Sequence, residues 1–132
     1  MTGMGEAKPC PCRRGEPFDD CCGPILAGTR PAPTAETLMR SRYTAYVVGD
    51  VDYLLRSWHP NTRPAELELD PAQRWLFLEI VGTQRGGPFD DNGTVEFIAH
   101  YKVAGVRDAM HENSTFVRVD GAWVYLDGTF SA

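Results

Sequence analysis

The chain has 132 residues, 42% of them apolar and 23% charged, which suits one globular domain with at most a small appendage. Its formal net charge of −5, with 13 scattered Lys and Arg, argues against a nucleic-acid grip, which normally needs a basic surplus. No apolar run approaches the ~20 residues of a bilayer span, and the first eight residues lack the apolar stretch of a secretory signal, so no membrane partner is expected and the cytoplasm is the expected compartment.

In chain order, residues 1–9 are small and polar without periodicity and are expected to be disordered. Residues 10–23 then hold all four cysteines, as Cys10-Pro-Cys12, eight residues, and Cys21-Cys22-Gly23. A reducing compartment keeps thiols free. Adjacent cysteines join each other only with strain, and crossed disulfides between the two pairs need oxidising surroundings. The four residues therefore read as ligands of one ion.

Zn²⁺ takes four thiolates in a tetrahedron with Zn–S distances of ~2.3 Å, and closed sites of this kind are structural. Iron is the alternative ion, because four thiolates also suit it. Redox use of the Cys-x-Cys pair is a weaker reading. The loop from Arg13 to Asp20 is long enough to bring the second pair round to the first. Gly15 and Pro17 help it reverse, and Gly23 would let the backbone pass close to the metal. Thiolates held on a metal are not available as nucleophiles.

Residues 24–33, rich in proline, predict an extended connector. A helix is predicted from Thr34 as N-cap, with Ala35, Met39, Tyr43, Tyr46 and Val47 as its buried face and Gly49 at its C-terminal end. Asp50 caps a second, shorter helix with Val51, Leu54, Leu55 and Trp58 on one face, and Pro60 ends it. Asp70-Pro71 predicts a single helical turn.

Beyond this point the apolar period changes from 3.6 to 2. Strands are predicted at 75–84, 93–104, 109–119 and 122–127. The turns between them are Gly86 to Gly93, Gly105 to Asp108, and Asp120-Gly121, the last a two-residue hairpin signal. Helices followed by a meander, without β-α-β alternation, make an α+β fold.

The segment CPCRRGEPFDDCCG resembles the SEC-C motif, the small zinc module at the C-terminus of the SecA translocation ATPase. The four ligands, Gly15, Phe18 and Gly23 agree with it. Arg13-Arg14 replaces the usual Gly-Ser, and Glu16, Asp19 and Asp20 stand where lysines are common. The longer stretches CCGPILAGTRPAPTAETLMRSRYTAYVVGDVDYLLRSWHP and HENSTFVRVDGAWVYLDG resemble the YchJ family of bacterial proteins, so that the likeness runs over residues 8–128.

That resemblance implies helices packed on a curved antiparallel sheet of four or more strands, the cystatin-like or nuclear-transport-factor-like cone. The cone would span residues 34–132 and carry a small N-terminal metal knuckle of four cysteines at 10–23. It implies metal binding, with zinc first, and a protein partner of the SecA/SecB or ribosomal kind. It brings no established enzymatic activity.

A cone of this type encloses a cavity, and such cavities often hold a ligand. Arg42, Trp58, His111, Glu112 and Asp127 are the candidate pocket residues. His111 and Glu112 adjoin on one strand and so face opposite sides. Glu96 and His100 alternate with Val95, Phe97, Ala99 and Tyr101, which places them on the solvent face. Glu112 is expected to pair with Arg40 or Arg42. Trp58, Trp75, Phe77, Phe97, Tyr101, Phe116 and Trp123 are expected in the core and cavity lining.

No Walker loop, G-x-S-x-G, H-E-x-x-H or G-x-G-x-x-G is present, and no residue is assigned a catalytic role. The expected function is therefore a metal-stabilised protein-interaction module linked to secretion or translation. Use of the cavity for a small ligand or an enzymatic reaction is the alternative.

Overall fold

Thr34 and Asp50 start the two helices that the sequence predicts, each by accepting a backbone hydrogen bond on its side chain: Thr34 from the Thr37 amide, Asp50 from the Tyr53 amide. The structure, a computed structural model, describes residues 8–130. The disorder expected for residues 1–7 lies outside them. Lys8 and Pro9 are paired with the returning chain: the Phe18 amide donates to the Lys8 carbonyl, and Pro9 bridges Pro17.

Helix α1 spans Cys22–Ala27, from the end of the cysteine segment into the stretch read as an extended connector. Its Pro24 sits in the first turn, where no intrahelical N–H is needed. Gly28, at φ 82°, closes the helix in the left-handed conformation. The same Gly and Pro residues that signal a break are here the start and stop of a short helix.

Helix α2 (Ala35–Val48) ends at Gly49 with φ 81°. Ala35, Met39 and Tyr43 are buried as expected, but Val47 is 38% exposed. Leu38, Ser41, Thr44 and Ala45 are buried instead. The helix is covered on two sides, by the sheet and by α1 with the cysteine segment, so no single stripe describes its burial. Helix α3 (Val51–Arg56) stops short of Pro60; of the predicted face Leu54 is fully buried while Val51, Leu55 and Trp58 are half-buried, and Tyr53 is buried in addition. A hydrogen bond of 2.6 Å between Ser41 Oγ and Tyr53 OH ties α3 to α2. Asp70 makes a turn without a helix, its carboxylate accepting from the Ala72 amide.

Four antiparallel strands follow in the order β1-β2-β3-β4: β1 Gln73–Arg85, β2 Asn92–Val103, β3 Val106–Val119 and β4 Ala122–Phe130. The β3–β4 hairpin turns at Asp120 and Gly121, with φ 52° and 84°, the pair of left-handed residues such a turn demands. The β2–β3 turn has the same form at Ala104 and Gly105, φ 52° and 80°. It is therefore shorter than the predicted Gly105–Asp108 turn, and β3 begins at Val106. An alanine in the left-handed region carries no compositional signal.

Register shifts between Trp75 and Phe77, between Ile80 and Gly82, and between Thr115 and Phe116 mark bulges that bend the sheet around α2. Its inner face carries Leu78, Val95, Phe97, Ala99, Phe116 and Trp123, all buried. The segment after α3 runs parallel to β4. The Tyr125 amide donates to the Ser57 carbonyl and the His59 amide to the Tyr125 carbonyl, which sets Trp58 beside Tyr125. No described helix is long and apolar enough to cross a membrane.

Candidate metal centre and cone cavity

The cysteine segment is a miniature hairpin. Phe18 bonds back to Lys8, the Cys10 amide donates to the Glu16 carbonyl, and the Arg13 amide donates to the Cys10 carbonyl. Reversal is made by Arg13 at φ 63° and Gly15 at φ 105°. Position 13, where the SEC-C pattern has glycine, is thus a left-handed position that arginine occupies here. A turn of 3-10 helix over Phe18–Asp20 then delivers Cys21 and Cys22. A Cβ at Gly23 would stand 2.8 Å from the Phe18 carbonyl oxygen, so the backbone passes close to Phe18 at this position.

All four sulfurs lie within 4.8 Å of one another, and all four cysteines are buried and free. Cys12 and Cys21 Sγ are 3.6 Å apart. A tetrahedron with Zn–S of ~2.3 Å has S···S edges of about 3.8 Å, whereas a disulfide brings sulfurs to about 2.0 Å. The donor set therefore fits one tetrahedral thiolate-bound ion and not a pair of disulfides. Cys10, Cys12, Cys21 and Cys22 would hold it, and a Zn²⁺ there would supply charge and cross-linking rather than a reactive position.

The thiols are electrostatically mismatched on their own. Hydrogen bonding from Cys22 pulls the Cys12 thiol down to about 5. Burial and the neighbouring Cys12 push Cys21 up to about 12. Donation to Cys12, followed by burial, raises Cys22 well above the usual thiol range. One thiolate forms readily and opposes the next, and a bound dication removes the conflict.

The knuckle sits directly on α2. Cys10 Sγ lies 3.7 Å from Thr44 Oγ1, Arg40 Nη1 donates to the Cys12 carbonyl at 2.7 Å, and Arg14 Nη2 donates to Thr37 Oγ1 at 2.8 Å. Arg40 also pairs with Glu36. Arg13 lies over the Phe77 ring, 5.0 Å from its centroid. Phe77 in turn stacks on His100, so it belongs to the outer face of the sheet and not to the expected core.

On the other side of α2 the sheet encloses a cavity of about 330 Å³. Arg42, Trp58 and Glu112 line it together with Met39, Tyr43, Tyr46, Trp75, Phe97, Met110, Ser114, Tyr125 and Phe130. His111 does not. It faces the opposite side of β3 and bonds Glu96 at 2.6 Å, beside a second outer pair, His100 with Glu79 at 3.2 Å. Asp127 is exposed and absent from the lining, because the bulge in the β3–β4 pairing turns it outward.

The expected ion pair of Glu112 with Arg40 or Arg42 is also not formed. Glu112 Oε2 accepts from Ser114 Oγ at 2.7 Å and from Tyr125 OH at 3.1 Å. Burial, then the Glu112 carboxylate, holds the Tyr125 phenol above its ordinary range.

Arg42 is only 3% exposed. Its Nη1 donates to the Leu54 carbonyl at 2.8 Å and to Ser57 Oγ at 2.7 Å. The guanidinium carbon lies 4.9 Å from the Trp58 ring centroid and 4.7 Å from that of Tyr125. Burial lowers its pKa, yet an arginine so placed stays charged. Gly128 and Ser114 are site residues that the sequence reading does not single out. A Cβ at Gly128 would collide with the Glu112 carboxylate, so this glycine makes the space in which Glu112 stands. Its signal is a glycine inside a strand pattern.

Comparison with known proteins places these features in one lineage. The family described as the YchJ middle NTF2-like domain matches residues 34–128. A UPF0225 protein of Streptomyces coelicolor is 57% identical over 122 residues, 92% of this chain and 95% of the relative. One from Corynebacterium glutamicum is 50% identical over 123 residues, 92% of this chain and 96% of the relative. The solution structure of a SEC-C motif containing protein from Rhodopseudomonas palustris superposes with a TM-score of 0.81 at 36% identity, covering 93% of this chain and 98% of the other. A crystal structure of a SEC-C motif containing protein from Psychrobacter arcticus gives 0.74 at 29% identity, with 93% and 82% covered. With its four-cysteine knuckle seated on an NTF2-like α+β domain, the chain belongs to the YchJ-like UPF0225 family of SEC-C motif proteins.

Proposed function

We propose that the protein is a zinc-stapled protein-interaction module. Its metal is structural, and its knuckle loop meets a partner in the secretion or translation machinery. The observation that carries this reading is the burial of all four converging cysteines, with exposures of 3%, 0%, 8% and 1%. A closed four-thiolate site leaves no position for substrate and suits Zn²⁺ held permanently. The outer side of the knuckle supports a docking role. Exposed Asp19 and Asp20, with Lys8, stand beside a groove lined by Pro9, Pro11, Pro17 and Phe18, an apolar surface with a charged rim.

Co-sedimentation of the zinc-loaded chain with ribosomes, in parallel with capture on an immobilised SecA-type ATPase, tests the partner. Binding in one of the two assays is expected, with at least a tenfold loss in the Asp19→Lys/Asp20→Lys double variant at unchanged metal content. Absence of binding in both, or binding indifferent to the double variant, would rule out this docking role.

A further inference from the structure

The cone cavity holds two opposite charges that do not meet. Arg42 is almost completely buried, and among the described residues no carboxylate lies within 4.0 Å of its guanidinium. Its hydrogen bonds to protein leave from Nη1 alone. Across the cavity both hydroxyl donors reach Glu112 at Oε2, and no described donor reaches Oε1. Burying a charge without an ionic partner is costly. The rest of the wall is mainly apolar and aromatic, with Trp75, Phe97, Met39 and Met110, and Gln73 adds one neutral polar side chain. A preformed apolar cavity with a few convergent polar groups is the usual form of a small-molecule site.

We propose that this cavity binds a small zwitterion of the apolar amino-acid class, its carboxylate against Arg42, its ammonium against Glu112 and its side chain among Trp75, Phe97 and Met110. Complementarity selects this class. A lone anion answers Arg42 but meets Glu112, a lone cation does the reverse, and a neutral apolar molecule leaves both charges unpaired. The planar guanidinium fork matches a carboxylate. A volume of about 330 Å³ holds roughly ten atoms at the ~30 Å³ share of a water molecule, the size of a free aromatic amino acid. The site is separate from the metal centre, on the opposite side of α2.

The test is titration of the zinc-loaded full chain with L-phenylalanine, phenylpropionate and phenethylamine, followed by tryptophan fluorescence and amide NMR shifts. Phenylalanine is expected to perturb Trp58, Trp75 and Met110 and to bind at least tenfold more tightly than either half-charged analogue. Glu112→Gln is expected to weaken phenylalanine about tenfold while leaving phenylpropionate no weaker. Arg42→Lys keeps the charge where removal of the guanidinium would endanger folding, and it is expected to weaken phenylalanine and phenylpropionate alike. No phenylalanine-dependent change up to about 10 mM, a free energy below ~3 kcal/mol, would overturn the proposal. So would equal affinity for all three probes, or a response indifferent to Glu112→Gln.

Discussion

Gly128 shows how much a single missing side chain can decide. Glu112 and Gly128 stand on adjacent strands, and the Glu112 carboxylate fills the place a Cβ at 128 would take. Glu112 itself is 6% exposed and held by Ser114 and Tyr125. Gly128→Ala is expected to destabilise the protein by about 1–3 kcal/mol, the usual cost of overpacking a fitted interior, read as an earlier midpoint in urea unfolding. A midpoint equal to that of the unchanged chain would mean that Glu112 is free to move aside. Arg13 presents the reverse case, a side chain where the motif has none. Its left-handed backbone costs ~1 kcal/mol, and its placement over Phe77 returns about 0.5–1 kcal/mol. Arg13→Gly is therefore expected to leave thermal stability unchanged to within about 1 kcal/mol.

At the scale of elements, helix starts and strands are the readable part. Thr34 and Asp50 are short polar side chains placed before apolar-periodic runs, and both cap as such residues do. Thr34→Ala is expected to cost about 1 kcal/mol, a fall of a few degrees in melting temperature. An unchanged melting temperature would show that the cap is replaced by solvent. Burial on α2 is not readable in the same way. Periodicity assumes one buried stripe, and α2 has the sheet on one side and the knuckle on the other, so Ser41, Thr44 and Ala45 are as buried as Met39. Helix α1 escapes a sequence reading because Gly23, Pro24 and Gly28 look like breakers and not like the ends of a short helix. Of the cavity residues, Arg42, Trp58 and Glu112 are legible because they carry charge or a large ring amid apolar neighbours. His111 and Asp127 do not belong with them. Strand alternation excludes His111 once Glu112 faces inward, while the outward turn of Asp127 depends on a bulge that leaves no mark in composition.

The whole molecule is layered as knuckle, α2 and sheet, so an ion held by the four cysteines would support the helix that walls the cavity. Metal removal should thus be felt beyond the knuckle, and its pH dependence has a defined sign. In metal-free protein Cys12 is shifted down to about 5 and Cys21 up to about 12, from an ordinary thiol value of 9.0. Between about 5 and 9 the folded chain binds fewer protons at Cys12 than the unfolded chain, so stability rises with pH. Between about 9 and 12 it binds more at Cys21, with Cys22 acting in the same direction, so stability falls. Urea midpoints of the chelator-treated protein should trace a maximum near pH 9, whereas zinc-loaded protein should begin to decline only above about 10, where the Tyr43, Tyr46, Tyr53 and Tyr125 phenols, all raised by burial, resist ionisation. A metal-free profile that keeps rising to pH 12 would contradict the thiol arrangement.

Native mass spectrometry of protein purified without added metal bears most directly on the four-sulfur site. The expected spectrum has one dominant species, the chain with a single zinc ion and its four cysteines reduced, which loses the metal together with any Cys12→Ala substitution. A dominant mass of the bare chain, or one lighter by the hydrogens of two disulfides, would contradict a metal centre at Cys10, Cys12, Cys21 and Cys22.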